Sequence, residues 1–387
     1  MELQEIREKY EIVDLFCQLA EIPSPSLKEE KVAEFIKNYC KEHNLDCNID
    51  SYGNVIIKVE ATDCSKQPIL LSAHMDVIGD DTPVEIYMDG DLLRAKGRTL
   101  GADDKIGVAN ALYLAQKIVE NPEEKHGGLE IVFTRDEESG MSGIRNIDFS
   151  KINSKYVLVL DSDSLGQLMT AGASYTQVKI TVKSAKGGHS GVDIADTSRK
   201  NAAKLIAELL AQMPQGVFYS KDNQVVTSCN LGGIKAGDVN VTNIINPEAC
   251  ASYSIRSSSR EMEEALKNVM TECIKKFNKH YDKLAEAQIL FEEHLPPFEE
   301  VKDEYIPILF ETVAKKLGIT PEISSFHAGA ETHIYANNIN SKGEKFAPYL
   351  VGLANVCSMH SSDENVDYQS ILQGAKLLKA TFDVYNS

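Results

Sequence analysis

The sequence predicts an α/β fold: a mostly parallel central sheet flanked by helices, with a two-layer α+β domain inserted into it. Three observations carry that expectation. Strand and helix patterns alternate through the first half of the chain. The texture changes near Ala171-Gly172, where continuous apolar runs give way to polar/apolar alternation. A Pro296-Pro297 pair then marks a return to the first pattern.

Taken in order, Ser26 followed by Glu29 reads as a capping box opening a helix from 27 to about 43. Residues 54–60 read as a strand. Residues 69–73, 129–134 and 156–160 are short apolar runs of the kind that form buried strands. A helix from 106 to about 120 lies between the first two and is closed by Asn121-Pro122. Strand, helix, strand, helix in this order implies a sheet covered on both faces. Beyond Gly172, residues 175–183 alternate as a half-exposed strand does. A helix from about 197 to 212 follows, then strands near 224–230 and 249–256, a long charged helix from about 260 to 283, and a strand at 287–291. The expected domains are therefore 1–172 with 296–387, and an insert at 173–295. The chain shows no internal repeat and no low-complexity tract.

Composition narrows the function. Hydrophobic content of 43% and charged content of 25% are those of an ordinary globular protein. The formal net charge of -18 argues against nucleic acid and anionic membrane as partners. The charged N-terminus has no apolar segment and no run is long enough to span a bilayer, so a cytoplasmic location is expected. Eight cysteines without CxxC spacing read as reduced thiols. Cys357, the one nearest the motifs, reads as core packing.

The chemistry lies in five pieces: His74-Met75-Asp76, Gly101-Ala102-Asp103-Asp104-Lys105, Asp136-Glu137-Glu138-Ser139-Gly140, Asp161-Ser162-Asp163 and Met359-His360-Ser361. Three of them end the apolar strands, and ligands of open α/β sheets bind outside the carboxyl ends of strands. Singly, each piece is commonplace; their order and strand-end placement are not. Two histidines and three carboxylates suit divalent zinc, with manganese or cobalt as alternatives. Five ligands, one of them bridging, hold two metals about 3.5–4 Å apart, an arrangement that polarises a carbonyl and acidifies a shared water. In this expectation His74 and His360 each cap one metal, Asp103 bridges, and Glu138 and Asp161 each complete one. Asp76 takes the other imidazole N–H of His74. Glu137 is the general base and acid.

These motifs resemble peptidase T and the neighbouring aminoacyl-histidine dipeptidases, within the superfamily of co-catalytic zinc aminopeptidases, carboxypeptidases and aminoacylases. The resemblance covers nearly the whole chain and implies a zinc exopeptidase-like fold whose insert serves as a lid. Gly101 to Lys105 resembles the bridging-aspartate motif, Asp136 to Gly140 the catalytic glutamate motif, and Asp161 the aspartate ligand. It also implies a cis peptide between Asp103 and Asp104. The pieces around Gly187-Gly188-His189-Ser190-Gly191, His327-Ala328-Gly329-Ala330-Glu331 and Met359 to Glu364 resemble the dipeptidase branch, while the chain length suits peptidase T. The resemblance gives His189 the oxyanion, and Arg256 the substrate carboxylate. Asn243 and the backbone at Gly329 fall near the substrate. The implied reaction is release of the N-terminal residue from tripeptides or dipeptides, with a short peptide as partner and a homodimer formed through the lid. Alternatives are an Xaa-His dipeptidase and a deacylase or carboxypeptidase of N-acyl amino acids. A non-catalytic peptide-binding protein would lack a ligand or the base, and neither is missing.

Overall fold

Strands without alternation must be covered on both faces, and that is how the apolar runs are used. The computed structural model describes residues 2–387. Strands Leu129–Thr134, Ile69–His74, Tyr156–Ser162 and Ala347–Gly352 lie side by side in that order and pair in parallel. Three of the four are buried at every residue. Helix Ala102–Val119 packs on this core, against Ile69–His74 and Tyr156–Ser162, and beneath helices Glu11–Ala20 and Tyr368–Tyr385. Antiparallel Val55–Val59 and Asp46–Ile49 extend the sheet on one side and antiparallel Gln167–Gly172 on the other, with Glu322–Phe326 beyond it as the eighth strand. Parallel strands share one carboxyl end, so His74, the glutamate loop after Thr134 and Asp161 all reach the same edge.

The chain divides into two units. The first holds residues up to 171 with 301–325 and 330–387; the second holds 172–300 and 326–329. The second unit has a five-stranded antiparallel sheet in the order Gly216–Lys221, Gln224–Lys235, Glu248–Ser257, Tyr175–Ser184, Ala285–Leu295. Alternate residues of Tyr175–Ser184 and Glu248–Ser257 are buried, against helices Ala202–Leu210 and Arg260–His280. Leu266, Met270, Ile274 and Phe277 give the longer helix its apolar stripe, and the Ser259 side chain caps it by accepting Met262 N–H.

Three expectations are corrected. The insert does not end at 295: Phe298 exchanges backbone hydrogen bonds with Gly172 at 2.8 and 3.1 Å, which carries the second unit on to Glu300. Residues 326–329 join it as well. The capping box is absent too. The helix begins at Glu30, and Leu27 has φ 67°. Ser26 hydroxyl instead donates to Asp76, and the Glu29 carboxylate accepts Leu27 N–H, Asp136 N–H and Arg135 Nε–H. Residues that look like a helix cap are taken instead by Asp76 and by the loop that carries Glu137. Cys357 is exposed rather than packed in the core. Among the described residues no helix is long and apolar enough to cross a membrane.

Gly374 sits where helix Tyr368–Tyr385 crosses the chain at Leu353; a Cβ there would lie 1.7 Å from the Leu353 carbonyl oxygen. Gly374→Ala should cost about 3 kcal/mol or more, read as a lowered urea midpoint with an unchanged slope. A midpoint equal to that of the parent protein would refute this account of the packing.

Candidate metal centre

Short, sharply turned segments follow the strand ends. Gly101 adopts φ 78°, and a side chain there would meet Val77 Cγ1 at 2.9 Å, so glycine is required ahead of Asp103. The Asp103-Asp104 peptide is cis. Asp136 turns the chain at φ 55°, with its carboxylate accepting the Ser139 and Ser142 hydroxyls, and Glu137 and Glu138 open the short helix that follows. His360 adopts φ 61° on the loop between strands Val356–Cys357 and Asn365–Asp367.

All five expected ligands come together. His74 Nε2 lies 3.1 Å from Asp103 Oδ1 and 3.6 Å from Asp161 Oδ1. His360 Nε2 lies 3.0 Å from Asp103 Oδ2 and 2.9 Å from Glu138 Oε1. Each Asp103 oxygen therefore faces a different histidine, and each histidine meets a different second carboxylate. Bonds of about 2.0–2.2 Å place neighbouring donors about 3.3–3.6 Å apart around a tetrahedral ion and about 2.8–3.1 Å apart where two bonds meet at a right angle, and the four separations fall at these edge lengths. Glu138 Oε1 is buried and makes no hydrogen bond despite its closeness to His360. Two donor atoms that approach without bonding converge on a shared point, so the residues fit divalent cations. Asp104 also comes within reach of His74 and Asp161. Its oxygens, however, already accept Gly107 N–H at 2.9 Å and the backbone N–H of His74 at 3.3 Å.

The imidazole of His74 is oriented differently from the expectation. Nδ1 lies 2.9 Å from the backbone carbonyl of Asp76 and 3.4 Å from its carboxylate. The carbonyl takes the proton, which leaves the Nε2 lone pair facing Asp103 and Asp161. The Asp76 carboxylate acts mainly on the glutamates, accepting Glu137 N–H at 3.0 Å, Glu138 N–H at 3.2 Å and Ser26 hydroxyl at 2.7 Å. Sequence reasoning also missed three buried supports. Lys105 donates to Ser24 hydroxyl at 2.7 Å, and that hydroxyl donates to the Met75 carbonyl at 2.8 Å. Glu331 accepts Ser72 hydroxyl at 3.2 Å and leaves Oε1 unpartnered. Glu364 accepts N–H groups from the Asp103 loop. Lys105, Glu331 and Glu364 all stand in the motif pieces, but spacing assigns them no role.

Electrostatics record the crowding of acids. Burial, then the Asp103 charge, push Asp161 up to about 7. Burial, with Asp161, Glu331 and Glu138 adding to it, lifts Glu137 well above the usual carboxylate range. Burial and Asp103 raise Glu138. Burial opposes ionisation of Asp103, but His360 and His74 hold it well below its ordinary value. Burial likewise opposes Asp76, yet His74 and the loop donors bring it to about 2. The Asp103 hydrogen bond, with burial opposing and Glu138 assisting, lifts His360 to about 9. Like charges packed this closely call for a cation.

The remaining candidates belong to the second unit. Exposed His189 lies on a two-stranded ribbon whose other strand, Ile244–Ile245, follows Asn243, so the fold brings these two together. His189 Nδ1 accepts Gly191 N–H at 3.1 Å and Val192 N–H at 3.2 Å, which puts the proton of the neutral ring on Nε2. Arg256 stacks on the Tyr175 ring at 4.4 Å, and among the described residues its partly buried guanidinium meets no carboxylate. In a chain this acidic, that vacancy of charge suits an anion. His327 bonds Ser228 hydroxyl at 2.7 Å, on the strand position opposite Arg256. Gly329 closes the 326–329 segment of the same unit.

Residues 70–383 match peptidase family M20/M25/M40. The chain belongs to that family. It is 30% identical over 292 residues to the cytosol non-specific dipeptidase of Escherichia coli (strain K12), 68% of this chain and 57% of that protein. It is 29% identical over 248 residues to peptidase T of Geobacillus sp. (strain WCH70), 63% of this chain and 57% of that one. The alignments thus span little more than half the length of these relatives. The crystal structure of aminopeptidase PepT from Bacillus cereus ATCC 10987 has the same fold, with a TM-score of 0.87 at 22% identity, covering 98% of this chain and 99% of that one. The expected resemblance to the peptidase T and dipeptidase branch is borne out.

Two outcomes follow from the charges. His360, raised to about 9, stabilises the metal-free fold fully below its ordinary 6.5 and loses that contribution as pH rises through 9. Asp161, pushed to about 7, costs stability progressively from its ordinary 3.8 up to 7. Both make the metal-free protein weaker as pH rises, so zinc or manganese should raise the melting temperature more at about pH 8 than at about pH 5.5. An equal rise at both would contradict the assignment of charge. Separately, 15N spectra of the neutral imidazole should show His189 protonated at Nε2. A proton on Nδ1 would rule out the turn described.

Proposed function

We propose that the protein is a di-metal aminopeptidase that releases the N-terminal residue from tripeptides or dipeptides. The observation that carries this reading is Asp103, whose two oxygens face different histidines, His74 and His360, each of which also meets a second carboxylate, Asp161 or Glu138. His74, Asp103 and Asp161 would hold one ion, and Asp103, Glu138 and His360 the other; zinc suits these donors, with manganese or cobalt as alternatives. Bound there, the ions would supply Lewis acidity to the scissile carbonyl and lower the pKa of water to near neutrality.

The chain's own residues do the rest. Glu137 takes the proton of the attacking water on a carboxylate oxygen and returns it to the nitrogen of the departing amine. Its backbone N–H is tied to Asp76 Oδ1, which keeps the base in register with the strand that carries His74. His189 offers Nε2–H to the carbonyl oxygen as negative charge develops on it. Arg256, free of any acidic partner, receives the substrate carboxylate as a planar fork. Asn243 and the backbone at Gly329 contribute further substrate contacts. The second unit acts as a lid whose closure excludes water, and a homodimer forms through it. The partner is a short peptide rather than nucleic acid or membrane, met in the cytoplasm.

A dipeptidase reading, including preference for Xaa-His, is favoured by the dipeptidase relative and by the motifs around His189 and His360. Deacylase or carboxypeptidase action on N-acyl amino acids uses similar ligands, and fold does not decide the substrate. Turnover by zinc- or manganese-loaded protein on Ala-Ala-Ala, Ala-Ala, β-Ala-His, N-acetyl-Ala and amine-blocked Ala-Ala-Ala separates them. Cleavage of the free-amine tripeptide, lost on blocking, is expected. Preference for β-Ala-His or N-acetyl-Ala moves the protein to the dipeptidase or deacylase reading. Glu137→Gln should lower kcat by at least about 100-fold with metal content unchanged; full turnover in that variant would remove Glu137 from the chemistry.

A further inference from the structure

The loops that carry Asp103 and His360 are joined by a carboxylate to which the reaction above gives no part. Glu364 is 1% exposed. One of its oxygens accepts Gly101 N–H at 2.8 Å and the Thr99 hydroxyl; the other accepts Asp103 N–H at 3.3 Å. It lies four residues past His360, at the end of the loop between the paired strands Val356–Cys357 and Asn365–Asp367. Asn365–Asp367 is anchored on strand Leu92–Ala95. The other hydrogen bonds of this loop are local or lead away: Ser361 hydroxyl to the Ser358 carbonyl, Asp363 N–H to Ser361 Oγ, and Arg94 to the Asp363 carbonyl. Glu364 and His360 are thus the side chains through which the loop grips the Gly101 to Asp103 segment.

The two halves of the cluster are built differently. His74 and Asp161 stand on strands of the sheet, and the His74 side chain is only 2% exposed. His360 is 50% exposed and stands on a loop with left-handed residues at Ser358 and itself. Sheet pairing fixes the first pair; the position of His360 over Asp103 Oδ2 has only the loop to fix it. An ionised carboxylate is an acceptor at both oxygens and so meets all three donors; an amide presents an NH2 to at least one of them.

We propose that Glu364 is a positioning residue that sets the distance between His360 and the bridging Asp103, and so governs the affinity of the cation position formed by Asp103 Oδ2, Glu138 and His360. The position formed by Asp103 Oδ1, His74 and Asp161 depends on it less, because His74 and Asp161 stand on paired strands. The proposal rests on the reading of these five residues as metal ligands.

The test is a cobalt(II) titration of metal-free protein, followed by visible absorbance and calorimetry, with circular dichroism to verify folding. The parent protein takes up two equivalents. Glu364→Gln keeps one equivalent within a few-fold of parental affinity and weakens the other by about 10- to 100-fold, the usual effect of losing a partner behind a ligand. Glu364→Asp, which keeps the charge but shortens the reach, falls between the two and serves if the glutamine variant does not fold. Asp363→Asn, exposed and next in sequence, binds as the parent does. His360→Ala reproduces the Glu364→Gln profile, and combining the two adds nothing to His360→Ala alone. Two equivalents at parental affinity in Glu364→Gln, or equal weakening of both, would overturn the assignment. A parent protein that binds no cobalt overturns this proposal together with the metal reading. One that binds two but cleaves no peptide overturns only the peptidase reading, and the binding profiles still decide the role of Glu364.

Discussion

Buried carboxylates held against one another are the constraint around which the first unit is organised. Asp103, Glu138, Asp161 and Glu137 lie close enough for each to disturb the ionisation of another. Without a counter-charge such a cluster pushes itself apart. Two histidines supply part of that charge and divalent cations would supply the remainder. The cluster is kept together by backbone donors: buried carboxylates from distant segments pin the loops that carry it. Asp76 takes the N–H groups of both glutamates, Glu29 that of Asp136, and Glu364 those of Gly101 and Asp103. Charge-assisted bonds of this kind are the stronger class, and each spans a long stretch of sequence.

The parallel sheet is what makes such a cluster attainable. Four buried strands running in one direction present their carboxyl ends along one edge, so His74, the glutamate loop and Asp161 come from strands adjacent in space. Asp103 enters from the start of the helix that returns across the same edge. Rigid strands hold His74 and Asp161, while His360 arrives on a loop. The antiparallel sheet of the second unit has a different logic. With one face on its helices, it leaves the other to polar side chains, and there Arg256 remains without an acid in a chain whose net charge is -18.

Local hydrogen bonds also decide which nitrogen of a histidine is available. In His74 the Asp76 carbonyl claims the Nδ1 proton and leaves the Nε2 lone pair for a cation. In His189 two backbone N–H groups occupy the Nδ1 lone pair and leave Nε2–H as a donor. The same side chain is made an acceptor in one place and a donor in the other by what the backbone offers its far nitrogen.

The sequence by itself determined the strands of the parallel core, the two-layer character of the insert and the five residues that meet at the sheet edge, because apolar runs and the polar pieces that end them are contiguous. It did not determine the terminal helices Glu11–Ala20 and Tyr368–Tyr385, which carried no motif to draw them out, or the true limits of the second unit, which depend on a pairing of Gly172 with Phe298. Ser26 and Glu29 read as a cap for the helix beside them; only the fold made Glu29 a support for a loop more than a hundred residues away and Ser26 a donor to Asp76. The services of Asp76 to the glutamates and of Glu364 to Asp103 were likewise decided by tertiary structure alone. The physical reason is common to all of these cases: a buried carboxylate goes to whichever N–H groups the packing leaves unpaired, and which groups those are is settled only when distant segments meet.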